Sequence, residues 1–100
     1  MRSLEVSNHS KKELNEIRSY TTIRWGKQQS NQYLTELHNT MILLKENPHI
    51  GINRVDFSDE IYSFPHVSHM IYYKFNDEKV YIMAVLHKSM LPKEQLLERK

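Results

Sequence analysis

Gly26 interrupts a chain that otherwise reads as unbroken helix from Ser7 to Asn47. Before it, Leu14, Ile17, Tyr20 or Thr21, and Trp25 recur three and four positions apart. After it, Leu34, Leu37, Met41 and Leu44 do the same, with Tyr33 widening the stripe. Glycine accepts the left-handed backbone at a helix end, so one helix stops at Trp25 and another starts at Lys27 or Gln28. So short a joint makes a helical hairpin. Each helix has one apolar stripe, so the pair must lie against something that the rest of the chain supplies.

The first helix starts at Ser7 or at Ser10-Lys11-Lys12-Glu13, the latter reading as a capping box. Asn47-Pro48 ends the second, because a residue before proline avoids helical torsions. Residues 2–6 alternate, with Leu4 and Val6 on one face, as in a short strand. Residues 49–59 read as a loop. Ile61–Phe64 reads as a strand stopped by Pro65, and residues 69–75 as a strand with Ile71, Tyr73 and Phe75 on one face. Asn76-Asp77-Glu78 is a turn, and the apolar run from Val80 to His87 suits a central strand. A short helix or tail follows Pro92. This order predicts an α+β domain spanning residues 1–100: an N-terminal strand and a helical hairpin on one face of a mostly antiparallel four-stranded sheet. The other face is expected to stay open for a partner.

Composition removes several function classes. There is no cysteine, hence no disulfide frame and no thiolate metal site. Net charge is +2, and the cations are spread over both halves of the chain, so no basic block marks direct nucleic-acid binding. The apolar runs are far too short to cross a bilayer, and no signal-peptide pattern opens the chain; the cytoplasm is the expected compartment. With two glycines there is no phosphate-cradling loop, and neither G-x-S-x-G nor H-E-x-x-H occurs.

The histidines are the remaining source of chemistry. His66 and His69, read as strand residues three apart, point to opposite faces, which is poor metal geometry; no metal or cofactor is expected. His69 begins one strand and His87 ends the next, so a hairpin brings them together. They read as an acid–base pair for RNA cleavage or as half-buried structural histidines, and the second reading is preferred because no tight cation cluster accompanies them. Lys74, Lys88 and a loop-borne Arg54 are the nearest candidates. Trp25 on the helix stripe reads as a core anchor before a base-stacking platform, and Tyr72, Tyr73 and Tyr81 as sheet packing. Lys11, Lys12, Arg18, Arg24 and Lys27 read as a solvated face.

Taken in order, Leu14-x-x-Ile17-x-x-Tyr20, Trp25-Gly26, Tyr33-Leu34 with Leu37, Leu43-Leu44-x-Glu46-Asn47-Pro48-x-x-Gly51 with Arg54, Phe64-Pro65-x-x-Ser68-His69-x-Ile71-x-Tyr73 and Val85-Leu86-His87-Lys88-Ser89-Met90 form a set. That set, from about Leu4 to Met90, resembles the ParE toxins of the RelE/ParE superfamily. The resemblance implies the toxin of a type II toxin–antitoxin pair, neutralised by a ParD-like antitoxin and acting on DNA gyrase without enzymatic chemistry of its own. Nucleic acid would be met only through antitoxin or gyrase, and no membrane is involved. Within the superfamily the alternative is a RelE-like ribosome-dependent mRNA endonuclease; a third reading is a non-toxic interaction module. Target contact is placed on Arg54, His69, His87, Lys88 and Met90, and antitoxin contact on Leu4, Val6, Tyr33, Leu37 and Met41. One departure stands out: the family often has glycine before its Ser/Arg-His pair, where this chain has Val67.

Overall fold

A computed structural model describes residues 2–56 and 58–97. Strand β1 (Ser3–Val6) leads into helix α1 (Asn8–Trp25) and helix α2 (Lys27–Glu46). After a 3-10 turn at Pro48–Ile50 come β2 (Ile52–Asn53), β3 (Tyr62–His66), β4 (His69–Phe75), β5 (Lys79–His87) and a short helix α3 (Pro92–Leu97). The sheet has five strands rather than four, in the order β1-β5-β4-β3-β2, and only the β1–β5 pair is parallel. The added strand, β2, is two residues long, too short for any periodicity to reveal it.

Ser7, not Ser10, caps α1, accepting the Ser10 N–H at 3.0 Å. The expected capping-box residues serve the sheet instead. β1 covers β5 only from Lys79 to Ile82. From Ile82 onward the β5 edge is met by side chains of α1 and of its cap: Ser10 donates to the Ile82 carbonyl at 3.2 Å, Ser7 to the Met83 carbonyl at 3.1 Å, and Glu13 accepts the Val85 N–H at 3.0 Å. Buried backbone groups need such partners, so these polar side chains extend the sheet edge where no strand is present.

Gly26 has φ 93° and ψ 164°, a region essentially confined to glycine, and α2 starts directly after it. The two helices touch through small polar side chains, with Thr21 Oγ1 2.7 Å from Ser30 Oγ. Ile17, Leu37, Met41 and Leu44 then close over Ile71, Tyr73, Val80, Ile82 and Val85. Tyr20 and Trp25, expected on this stripe, are 58% and 55% exposed. The reason is length. α1 starts beside Ile82 and extends about 27 Å at 1.5 Å per residue, whereas the five steps from Ile82 to His87 advance only about 17 Å, so the hairpin overshoots the sheet.

The second sheet face is not left open. Ile61, Tyr72, Met83, Ala84 and Leu86 pack there with Leu96 of α3, which is 1% exposed. A bulge places Met83 as an extra residue between the pairs Tyr72–Ala84 and Tyr73–Ile82, which turns both Met83 and Ala84 to this face. β3 also continues through Pro65, the residue expected to stop it, to His66. β2 pairs only with Tyr62 and Ser63, so Pro65 lies where β3 is an edge and no neighbour requires its missing N–H.

The turn joining β3 to β4 holds Val67 at φ 51°. A β-branched residue is strained in the left-handed region, and the Val67 side chain, 66% exposed, gains little packing in return. Val67→Gly is therefore expected to stabilise the chain by about 1 kcal/mol in urea unfolding, the strain relieved exceeding the entropy that glycine adds to the unfolded state. A fall in the unfolding midpoint would contradict this.

Candidate functional site

The β3–β4 turn pairs His66 directly with His69, and the β4–β5 register pairs His69 with His87. His66 and His69 therefore do not diverge as strand residues three apart would; the turn between them brings both beside Tyr33 of α2. Their rings lie 5.3 and 5.7 Å from the Tyr33 ring. The Tyr33 hydroxyl is 2.7 Å from Nδ1 of His69 and donates to the His66 carbonyl at 3.3 Å. Nδ1 of His66 is 2.9 Å from the Thr40 hydroxyl, and its Nε2 is buried without a protein partner. The expected closeness of His69 and His87 holds: the rings meet edge to face at 5.5 Å.

Electrostatics keeps His69 neutral. Burial, then the neighbouring His87 and His66, push its pKa down to about 4. Burial also lowers His66, against the opposing pull of Glu36. His87 is exposed, with Nδ1 2.7 Å from the Ser89 hydroxyl. Beyond it the chain turns: the Lys88 N–H donates to the Ser68 carbonyl and the Met90 N–H to the His87 carbonyl, both at 2.9 Å. Lys88 and Met90 are exposed at this end of the sheet. His69, His87, Lys88 and Met90 thus share one end of the molecule.

Arg54 does not join them. Its guanidinium meets Asp56 through two N–H···O contacts at 3.3 Å, donates to Ser63 at 3.3 Å and lies 5.8 Å above the Tyr72 ring. Burial disfavours its charge, but the Asp56 carboxylate outweighs that and raises the pKa. Ser63 and Tyr72 are paired on the face that α3 covers, whereas His69 touches Tyr33 on the hairpin side. The sheet separates the cation from the histidines. Among the described residues no group of three metal-ligating side chains forms.

A groove of about 390 Å³ runs between the two helices beside β1. Val6, Leu14, Leu34 and Met41 make its apolar wall, and Asn15, Arg18, Thr35 and His38 its polar rim. Such a concave strip suits the apolar face of a peptide helix or tail.

Known proteins resemble this chain in sequence and in fold. Residues 4–92 match the family described as "ParE toxin of type II toxin-antitoxin system, parDE". The chain belongs to the ParE toxin family. It is similar to Toxin ParE1 of Caulobacter vibrioides, 30% identical over 90 residues that cover 90% of this chain and 93% of that one. A solved chain from the chromosomal ParDE TA system of P. aeruginosa shares the fold at TM-score 0.76, with 11% identity, covering 87% of this chain and 96% of that one.

This ParE chain is thus a type II toxin–antitoxin toxin, which implies an antitoxin partner. Of the residues assigned to antitoxin contact, Val6 and Met41 line the groove; Leu4 and Tyr33 are half-buried against the core. Leu37 and Met41 are 0% and 1% exposed, so Leu37 offers a partner nothing and Met41 serves only as the groove floor. The stripe that made them candidates is the stripe that the sheet buries. Leu14 and Leu34, members of the same stripes but only partly buried, line the groove as well and were not among the residues assigned to antitoxin contact. No described helix is long and apolar enough to cross a membrane.

Proposed function

We propose that this toxin acts by occupying a surface of DNA gyrase and so blocks replication, and that a ParD-like antitoxin neutralises it in the cytoplasm by seating an apolar segment in the Val6–Leu14–Leu34–Met41 groove. The observation that carries the choice of mechanism is the separation of Arg54 from His69 and His87 by the sheet. Cleaving RNA needs a proton-exchanging pair and a cation around one phosphate. Here the cation is engaged by Asp56 on one face, and His69, kept uncharged by its lowered pKa, is tied to Tyr33 on the other. The exposed end formed by His87, Lys88 and Met90 offers contact chemistry for a protein instead.

Purified toxin is expected to inhibit supercoiling and accumulate gyrase-cleaved DNA, while mRNA ends in a translating extract stay unchanged. Cut mRNA with unaffected gyrase would reverse the reading in favour of the endonuclease, and expression without a growth defect would favour a non-toxic module. Replacing His87 and Lys88 with Ala should raise the half-inhibitory concentration about tenfold, as loss of two exposed contacts does, with antitoxin binding retained. Unchanged inhibition would remove these residues from the target surface.

A further inference from the structure

The overshooting end of the hairpin contributes no side chain to the core over the sheet. The core takes Leu14 and Ile17 from α1 and resumes at Tyr33 on α2; between them only Thr21 and Ser30 are buried, against each other. What projects is a set of large side chains. Ile23 is 87% exposed, with Tyr20 and Trp25 beside it. The Tyr20 and Trp25 rings meet edge to face at 6.1 Å, and the Arg24 guanidinium lies 5.9 Å from one and 5.6 Å from the other. Four large groups are thereby displayed on a rigid two-helix support at the cost of leaving apolar surface in water.

We propose that this tip, formed by Tyr20, Ile23, Arg24 and Trp25, is a docking surface for the toxin's target, a folded protein that presents acidic side chains around an apolar cleft. The inference rests on the reading that this toxin acts by occupying a target protein. Charge supports it. From Ile17 to Thr35 the chain has Arg18, Arg24 and Lys27 and no carboxylate, so the tip is cationic and calls for an acidic rim opposite. Shape supports it too. The tip is convex and enters a cleft, whereas the groove beside β1 is concave and receives a segment. Residue type selects protein over nucleic acid: Trp, Tyr and Arg are the side chains that concentrate binding energy in protein interfaces, and an exposed Ile has no use on a phosphate backbone. Position supplies the last argument. α1 runs along β5 from Ile82 to Val85 and passes the His87 end, and Tyr33 links α2 to His69 there. The tip thus extends the same end of the molecule that exposes Lys88 and Met90.

The test uses full-length toxin and purified gyrase as the probe. Ile23→Asp combined with Arg24→Glu, and separately Trp25→Ala, should each weaken gyrase binding on the order of 100-fold. Antitoxin affinity should stay within about threefold, which also certifies the fold. Gyrase binding unchanged in both variants would overturn the proposal, as would loss of antitoxin binding with gyrase binding kept. Trp25 is the only tryptophan, so its fluorescence reports on the tip alone in a titration with single-stranded oligonucleotide. Saturable quenching at physiological salt would overturn the proposal in favour of nucleic acid. If wild-type toxin ignores gyrase yet arrests growth, the failure is that of the gyrase reading. The tip is then scored on arrest: variants that lose arrest while binding antitoxin support it, and variants that arrest like wild type overturn it.

Discussion

Gly51→Ala is expected to destabilise the chain by about 3 kcal/mol, a large part of the total for a domain of this size. A Cβ at residue 51 would collide with the Tyr73 hydroxyl and approach the Ser63 carbonyl oxygen at 2.9 Å. Neither atom can retreat. Tyr73 is 0% exposed in the middle of β4, and its hydroxyl donates to the Pro48 carbonyl at 2.7 Å while accepting the Gly51 N–H at 3.1 Å. Burial pushes its pKa up to about 12, so this hydroxyl keeps its proton near neutral pH. It fastens the segment after α2 to the sheet and so positions β2. Urea unfolding of Gly51→Ala, Tyr73→Phe and the double variant measures the coupling. The double variant should be at least about 1 kcal/mol more stable than the sum of the single losses implies, because removing the hydroxyl relieves part of the clash. Strict additivity would show that the clash is absorbed elsewhere.

Acidification should act through the histidine cluster. The unfolded chain binds a proton at His69 near pH 6.5, whereas the folded chain resists until about pH 4. Stability is therefore full above pH 6.5 and falls as pH drops from 6.5 to 4, by up to about 3 kcal/mol from this group. His66, also lowered by burial, adds in the same direction. Protonation puts a cation beside Tyr33 and the His66 and His87 rings, where burial opposes it. Urea midpoints measured from pH 7 to pH 4 should decline in the wild type and decline less in His69→Gln, which keeps a polar partner for Tyr33. An equal decline in both would assign the pH dependence to other groups. The loosening should begin where α2 meets the β3–β4 turn, next to the end of the sheet proposed to meet the target.

Legibility followed the range of the interaction. The two apolar stripes and the glycine between them specified the helices, because helical period and backbone freedom are properties of neighbours in sequence; Gly26 proved even more restricted than a helix end requires. The β4–β5 hairpin, with His69 opposite His87, followed from one short turn. Family membership was legible too, since the spacing of the motifs survives in the chain as written. Tertiary structure alone decided the rest. Whether Trp25 is buried depends on how far a helix outruns the strand beside it. Whether the second face is open depends on where Leu96 settles. Whether Ser10 and Glu13 cap a helix or complete β5 depends on a strand edge 72 residues away. His66 and His69 share a side because the chain reverses between them, and Arg54 is held apart by the sheet itself. Each of these is set by the meeting of segments distant in sequence, and local periodicity carries no record of which segments will meet.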